Sequence, residues 1–296
     1  MVMRITSSIQ NRNFLENINL TKSRLDKAQE QITTGKRVNR FSDDPFAASQ
    51  SNRIAAVMST NDQFISNNDL LRSKLELTDS TLQSLVQTMD SARTAAAQAL
   101  SGVTTPESRA ALAESVGSAR AEALSSANTK FDGLYLFAGT QSTNPPFVDS
   151  GGSVSYVGND DPVYLRVDAA TVMKTNLTNS DVFAGPPAMF DTLDALKTAI
   201  QNNDTAAIRA RMNDLETISD RLNTADTVVG GNMQLVDQVQ QALKDRNEAL
   251  QSESSRLTDA DLVKAISDMN LANDAVSVAL RSQAQIQNLS LIDLME

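Results

Sequence analysis

From Pro45 to Ser101 the chain runs for 57 residues without a glycine or an internal proline. At 1.5 Å per residue a helix of that length reaches about 85 Å. That exceeds ordinary globular helices, so the stretch predicts a rod or coiled coil. Its apolar spacing agrees. Leu75, Thr78, Leu82, Leu85, Met89, Ala92, Ala96 and Ala99 recur at alternating steps of three and four, as on a seam facing a partner helix. The seam passes from leucine to alanine, which lets the partner approach closely. Asn61 and Asn68 lie on the same seam. They fit equally a buried, register-setting role and a merely solvated stretch. Gly102 ends the run, and Thr105-Pro106-Glu107 supplies an N-cap, a first-turn proline and a dipole-matched acid. Leu112, Val116, Ala119 and Ala123 then carry a return helix to about Thr129, which makes a helical hairpin.

The texture changes between residues 131 and 190, which hold eight of the twelve aromatic residues, six of eleven glycines and five of seven prolines. Tyr135-Leu136-Phe137, Val154-Ser155-Tyr156-Val157 and Val163-Tyr164-Leu165-Arg166-Val167 read as short strands between turn signals such as Gly151-Gly152 and Gly185-Pro186-Pro187. In the last run Val163, Leu165 and Val167 alternate with Tyr164, Arg166 and Asp168, one buried face against one wet face. So few residues make a small sheet and no large core.

Helical periodicity returns at Ala188. Leu193, Leu196 and Ile200 mark a short helix, and Asp204 caps the next. Ile208, Met212, Leu215, Ile218 and Leu222 give that helix an apolar stripe, and Val236, Leu243, Leu250 and Leu257 continue at heptad spacing. Gly230-Gly231 is expected to interrupt it, as a bend or a close-packing point. Thr258-Asp259-Ala260-Asp261 has the look of a capping box opening a last helix. Its seam is Leu262, Ile266, Met269, Asn273, Val276 and Leu280, followed by Ile286, Leu289, Leu291 and Leu294. At the other end Phe14, Ile18, Thr21, Leu25, Ala28 and Ile32 form a matching seam, closed by Gly35 as a left-handed C′ residue. Asp44 and Pro45 then serve as N-cap and first residue of the long helix.

The fold class read from this pattern is mainly α with a small inserted β-rich domain, a long antiparallel helical rod or coiled-coil bundle with paired N- and C-termini. The expected segments are an N-terminal assembly helix (1–42), half of the rod (43–132), the inserted outer domain (133–187), the other half (188–257) and a C-terminal assembly helix (258–296). Isolated amphipathic helices of such length are marginal in water, because most of their stability comes from burying the apolar face. Each end therefore needs a partner. The expected assembly interface comprises Phe14, Ile18, Leu25 and Ile32 with Leu262, Ile266, Met269, Val276, Leu280, Ile286, Leu289, Leu291 and Leu294.

Composition removes most chemistry. With no cysteine and no histidine there is no thiolate nucleophile, disulfide, Cys/His zinc site or imidazole base. The formal charge of −10 argues against nucleic acid or an anionic membrane as partner. No apolar run approaches a membrane span. The start, Met1 to Asn11, has no apolar core of a cleaved Sec signal. Asp43-Asp44 could be drawn as a metal pair, but no third ligand is spaced for it and a helix start accounts for both. Asp149, Asp160, Asp161 and Asp168 lack any substrate-groove signal that would make a glycosidase pair. Neither Gly151-Gly152 nor Gly230-Gly231 is followed by the Lys-Ser/Thr of a phosphate loop. The reading is therefore no catalytic residue, no cofactor and no metal.

The segment Gln31-Ile32-Thr33-Thr34-Gly35-Lys36-Arg37-Val38-Asn39, followed by Ser42-Asp43-Asp44-Pro45, resembles the N-terminal signature of the flagellin superfamily. Its Asp-Asp-Pro form is similar to the hook–filament junction family, where flagellins usually carry Asp-Asp-Ala-Ala-Gly. Asn288-Leu289-Ser290-Leu291-Ile292-Asp293-Leu294 resembles the superfamily's ending. Asp259-Ala260-Asp261-Leu262 resembles the opening of its C-terminal helix. Phe131-Asp132-Gly133-Leu134-Tyr135-Leu136-Phe137-Ala138-Gly139-Thr140, with Pro146-Phe147, is similar to the junction family's lead into its outer domain. Phe41 departs from a proline often found there, and Leu294-Met295 from the usual Tyr-Leu.

The resemblance implies a non-enzymatic axial component of the flagellum, exported by the flagellar type III apparatus and located outside the cell at the hook–filament junction. Its implied partners are neighbouring copies of itself in a ring, the other hook-associated junction protein, flagellin, and an export chaperone at the C-terminal segment. The family signature maps onto Gly35, Arg37, Asn39, Ser42, Asp43, Asp44 and Pro45. A flagellin subunit is the alternative, and a secreted non-flagellar coiled-coil protein or enzyme a remote one.

Overall fold

A computed structural model describes the backbone of residues 2–101 and 105–292 and the side chains of residues 9, 11–101 and 105–285. Gly102 and Leu294 lie outside the described residues, as do the side chains of Ile286, Leu289 and Leu291. Seven helices and six short strands are present among the described residues: α1 (Val2–Thr34), α2 (Pro45–Ala99), α3 (Pro106–Ala127), β1 (Lys130–Phe131), β2 (Leu134–Tyr135), β3 (Phe147–Asp149), β4 (Val154–Tyr156), β5 (Tyr164–Arg166), β6 (Val172–Lys174), α4 (Asn179–Val182), α5 (Met189–Gln201), α6 (Thr205–Thr258) and α7 (Leu262–Ile292). The chain divides into two compact units, residues 1–60 with 246–296, and residues 61–245.

The second unit holds the large core. Along α2, the expected seam residues Leu75, Leu82, Leu85, Met89, Ala92, Ala96 and Ala99 are all buried. They join Val116, Ala123, Leu193, Leu196, Ile208, Leu215, Ile218 and Leu222 of the other helices. Asn68 resolves its two sequence readings in favour of burial. Its amide donates to the Val167 carbonyl at 3.0 Å, tying the helix to the inserted segment. Asn61 is buried as well.

On the α2–α6 side, polar pairs link the helices: Arg72 with Asp237, the Gln240 amide donating to Asp69, and Arg93 with Glu216 at 3.6 Å. Among these rungs one is repulsive. Asp226 meets Asp79, and burial together with that second carboxylate pushes Asp226 up to about 6.

Between α3 and α5 the inserted segment forms three separate antiparallel ribbons, β1–β2, β3–β4 and β5–β6. Their common support is aromatic. Phe147 packs on Phe183 at 4.6 Å and on Phe190 at 5.5 Å, and Phe137 meets Phe183 edge-on at 5.2 Å. Arg120 of α3 anchors this segment through ion pairs to Asp149 and Asp194, both at 2.7 Å. Asn128, the C-cap of α3, exchanges two side-chain hydrogen bonds with the backbone of Phe147.

Two local expectations are corrected. Gly230 and Gly231 neither break α6 nor mark a close approach, since a Cβ at either position would meet nothing within 4 Å. Burial of Val229 and Val236 on each side holds the helix together, against about 1 kcal/mol lost per glycine. The last helix opens three residues later than the capping-box reading placed it. Thr258 ends α6, and the Asp261 carboxylate accepts from the backbone N–H groups of Val263 and Lys264.

Candidate assembly surface

The first unit joins both ends of the chain through a clasp. Gly35 adopts φ 68°, a left-handed conformation that glycine takes without steric penalty, and its N–H donates to the Gln31 carbonyl to close α1. The chain then turns back onto the segment between α6 and α7. Arg37 N–H donates to the Thr258 carbonyl at 2.7 Å, and Ala260 N–H donates to the Gly35 carbonyl at 2.9 Å. The Arg37 guanidinium reaches the Leu257 carbonyl at 2.7 Å and Asp44 at 3.1 Å. Lys36 pairs with Asp259 at 2.9 Å. The two adjacent acids divide their work. Asp43 accepts from the backbone N–H groups of Asn39 and Arg40 and pairs with Lys27, while Asp44 caps α2 through Ala47 N–H.

Each of these carboxyls is held below its ordinary value. The largest cause is the Arg40 N–H for Asp43, the Ala47 N–H for Asp44 and the Lys36 ammonium for Asp259. Of the signature residues, Gly35, Arg37, Asn39, Asp43 and Asp44 thus enter one hydrogen-bonded turn. Ser42 lies within it and Pro45 begins α2.

Beyond the clasp α1 and α7 run antiparallel. Lys36 lies opposite Asp259 at one end, and Gln283 donates to Asn11 at 3.0 Å at the other. On α1 the expected seam is the covered one: Ile18 and Ala28 are buried, and Phe14, Thr21, Leu25 and Ile32 half-buried. On α7 the covered residues are Ala265, Met269, Ala272, Val276, Ala279 and Gln283. Of the expected α7 residues whose side chains are described, Met269 and Val276 fall on this line. Leu262, Ile266 and Leu280 stand 47, 45 and 54 % exposed on an adjoining face. Val263, Leu271 and Val278 expose further apolar surface away from both. An open cleft of about 610 Å³ flanks the pair, with Arg24, Lys27 and Gln31 on one wall and Asp268, Leu271 and Ala275 on the other.

The unit is therefore inverted relative to a finished core. Among the described residues its buried apolar side chains are Ile18, Ala28, Ala47, Ile54, Ala265 and Ala272, four of them alanine. Twelve of the twenty large apolar side chains exposed among the described residues belong to it, although it is the smaller unit. Phe41 and Phe46, beside the clasp, are 58 and 77 % exposed. Single exposed apolar residues are ordinary, but a concentration of this kind marks an interaction surface. Sequence reading had not singled out Phe46, Val263, Leu271 or Val278. The available signal was their size at positions off any 3–4 seam.

With this geometry in view, the comparisons point one way. The family described as bacterial flagellin N-terminal helical region matches residues 5–142. The flagellar hook-associated protein 3 of Escherichia coli K12 is 26 % identical over 317 aligned positions, spanning 99 % of both chains. Among solved structures, FlgL of Bacillus cereus superposes with TM-score 0.59 at 24 % identity, over 69 % of this chain and 99 % of that one. The flagellar junction protein FlgL of Legionella pneumophila gives TM-score 0.61 at 14 % identity, over 71 and 99 %. At these identities the two structures speak for the fold.

Proposed function

We propose that the chain, which matches the flagellin N-terminal helical region over residues 5–142 and is similar along its length to a flagellar hook-associated protein 3, is a structural, non-catalytic axial component of the bacterial flagellum, joining hook to filament. The observation that carries this reading is the inverted first unit. It pairs the two chain ends through small residues and turns its large apolar ones outward. Such a surface gains little free energy alone and much when a second surface covers it.

In this proposal the covering surfaces are neighbouring copies in a ring, the other hook-associated junction protein on one side and flagellin on the other. Phe14, Ile18, Leu25, Ile32, Met269 and Val276 hold the two ends together. Leu262, Ile266 and Leu280, with Ile286, Leu289, Leu291 and Leu294 beyond them, meet other subunits. The C-terminal segment is the docking place of an export chaperone until assembly. The protein works outside the cell and leaves it unfolded through the flagellar type III apparatus, a route on which a chain without thiols forms no cross-links.

The test is complementation of a strain lacking the gene. Versions without residues 1–40 or 260–296 should keep a soluble, cooperatively unfolding second unit yet fail to support filaments. Normal incorporation of either truncate would refute the proposal. The flagellin alternative separates by abundance in sheared flagella: a filament subunit dominates the preparation, whereas a junction component is a minor band.

A further inference from the structure

In the second unit a cleft of about 450 Å³ opens between α2 and the ribbons β1–β2 and β5–β6, a size common for small-molecule sites. Its inner walls are aromatic and aliphatic, with Leu71 from the helix and Phe131, Tyr135 and Leu165 from the ribbons. Leu70, Leu134 and Tyr164 line it too and are 57, 48 and 63 % exposed. Among these apolar groups sits one cation, Lys74, half-buried on the α2 side.

Lys74 is half-buried, whereas Lys22, Lys244 and Lys264 are exposed. Lys27, Lys36, Lys174 and Lys197 each have a carboxylate within 4 Å, and Lys130 lies over the Tyr135 ring at 4.6 Å. Among the described residues no ion pair or hydrogen bond engages the Lys74 ammonium. Burial alone, with no opposing charge to offset it, pushes that ammonium below its ordinary value. A partly desolvated charge without a counter-ion is costly, and an anion brought to it recovers that cost.

We propose that this cleft binds a small amphiphile carrying a single carboxylate, with its apolar body against Leu71, Phe131 and Leu165 and its carboxylate on the Lys74 ammonium. A small monoanion suits the site better than a second copy of the chain. Asp132 lies at the cleft as an exposed carboxylate, and the chain carries a formal charge of −10. Another copy would bring like charge to the mouth, whereas a monoanion brings one charge to one cation.

The experiment is calorimetric titration of the full chain, at physiological salt, with decanoate and with decanol as the uncharged probe of equal length. Decanoate should bind at one site per chain and on the order of tenfold more tightly than decanol, as a charge-assisted contact in an apolar setting requires. Lys74→Met should remove that preference, Lys74→Arg should keep it, and Asp132→Asn should tighten decanoate binding by removing a like charge. If Lys74→Met fails to fold, the decanoate–decanol ratio and the Asp132→Asn shift carry the test. The proposal is overturned by absence of saturable binding, by equal affinity for the two probes, or by decanoate affinity unchanged in Lys74→Met. Dimerisation of the free chain that Lys74→Met abolishes would also overturn it, and would give the cleft to a second copy.

Discussion

Two substitutions that remove the same amount of side chain should have opposite consequences if the first unit is built as proposed. Ile18 is 8 % exposed on the covered seam of α1, and Leu280 is 54 % exposed on α7. Truncation to alanine removes about three carbons in each case, and a buried CH₂ is worth about 0.8 kcal/mol. With a small cavity term, Ile18→Ala should cost the free chain about 3 kcal/mol. Leu280→Ala should cost about 1 kcal/mol, because more than half of the side chain is already in water. Covering Leu280 by another subunit would bury the rest, worth about 1.3 kcal/mol per copy and close to tenfold in subunit affinity.

Amide exchange across α1 and α7 of the free chain reads the first quantity. Co-expression of tagged variant and untagged wild type in the deletion strain, followed by their ratio in purified flagella, reads the second. Ile18→Ala should lose protection at both ends. Leu280→Ala should keep most of it and be under-represented several-fold in flagella. Equal loss of protection in both variants, with Leu280→Ala incorporated as well as wild type, would refute the division into a covered seam and an outward one.

Glycine replacements should separate by backbone conformation. Gly35→Ala places a side chain at φ 68° and should weaken the first unit by about 1 kcal/mol, seen as faster exchange of the last turn of α1. Gly230→Ala, in a helix interior with open space around the new methyl, should raise the second unit's denaturation midpoint by about 0.5–1 kcal/mol in stability. Asp226 titrates near 6 in the fold against 3.8 when free, so the unfolded chain gives up that proton first. Folding is thereby penalised above pH 6 and relieved as pH falls toward 4. Discounted for its partial exposure, the penalty is about 1 kcal/mol. Asp226→Asn should gain that at pH 7 and flatten the stability profile between pH 4 and 6, as measured by denaturant titration.

The long helices were legible because their signals are local. An uninterrupted run ends at glycine, proline and capping acids, and Asp44, Thr105 and Asp204 cap where the sequence places them. The aromatic cluster of residues 131–190 was legible as a second packing texture, but its division into three ribbons was not. Phe147–Asp149 and Val172–Lys174 are three-residue strands, too short to show a period and defined only by what they pair with. The glycine pair in α6 misled because a weak local preference was weighed without the core on either side of it.

The covered face of α7 was missed for a reason that bears on function. Two series run along this helix and share Met269 and Val276, one continuing through the large Leu262, Ile266 and Leu280, the other through the small Ala265, Ala272 and Ala279. Reading by hydrophobicity selects the first, because leucine and isoleucine outweigh alanine. The fold buries the second. In a protein whose folding ends with its own chain this ordering would waste free energy, since each large side chain left in water forgoes roughly 1.5–3 kcal/mol. In an assembling subunit it is the arrangement that keeps the paired ends weak before assembly and makes their burial coincide with it. Hydrophobic periodicity reports where a helix can bury surface, and α7 carries more such surface than one partner helix covers. On the proposed reading, the face that sequence alone would have placed inside is the one that waits for the next subunit.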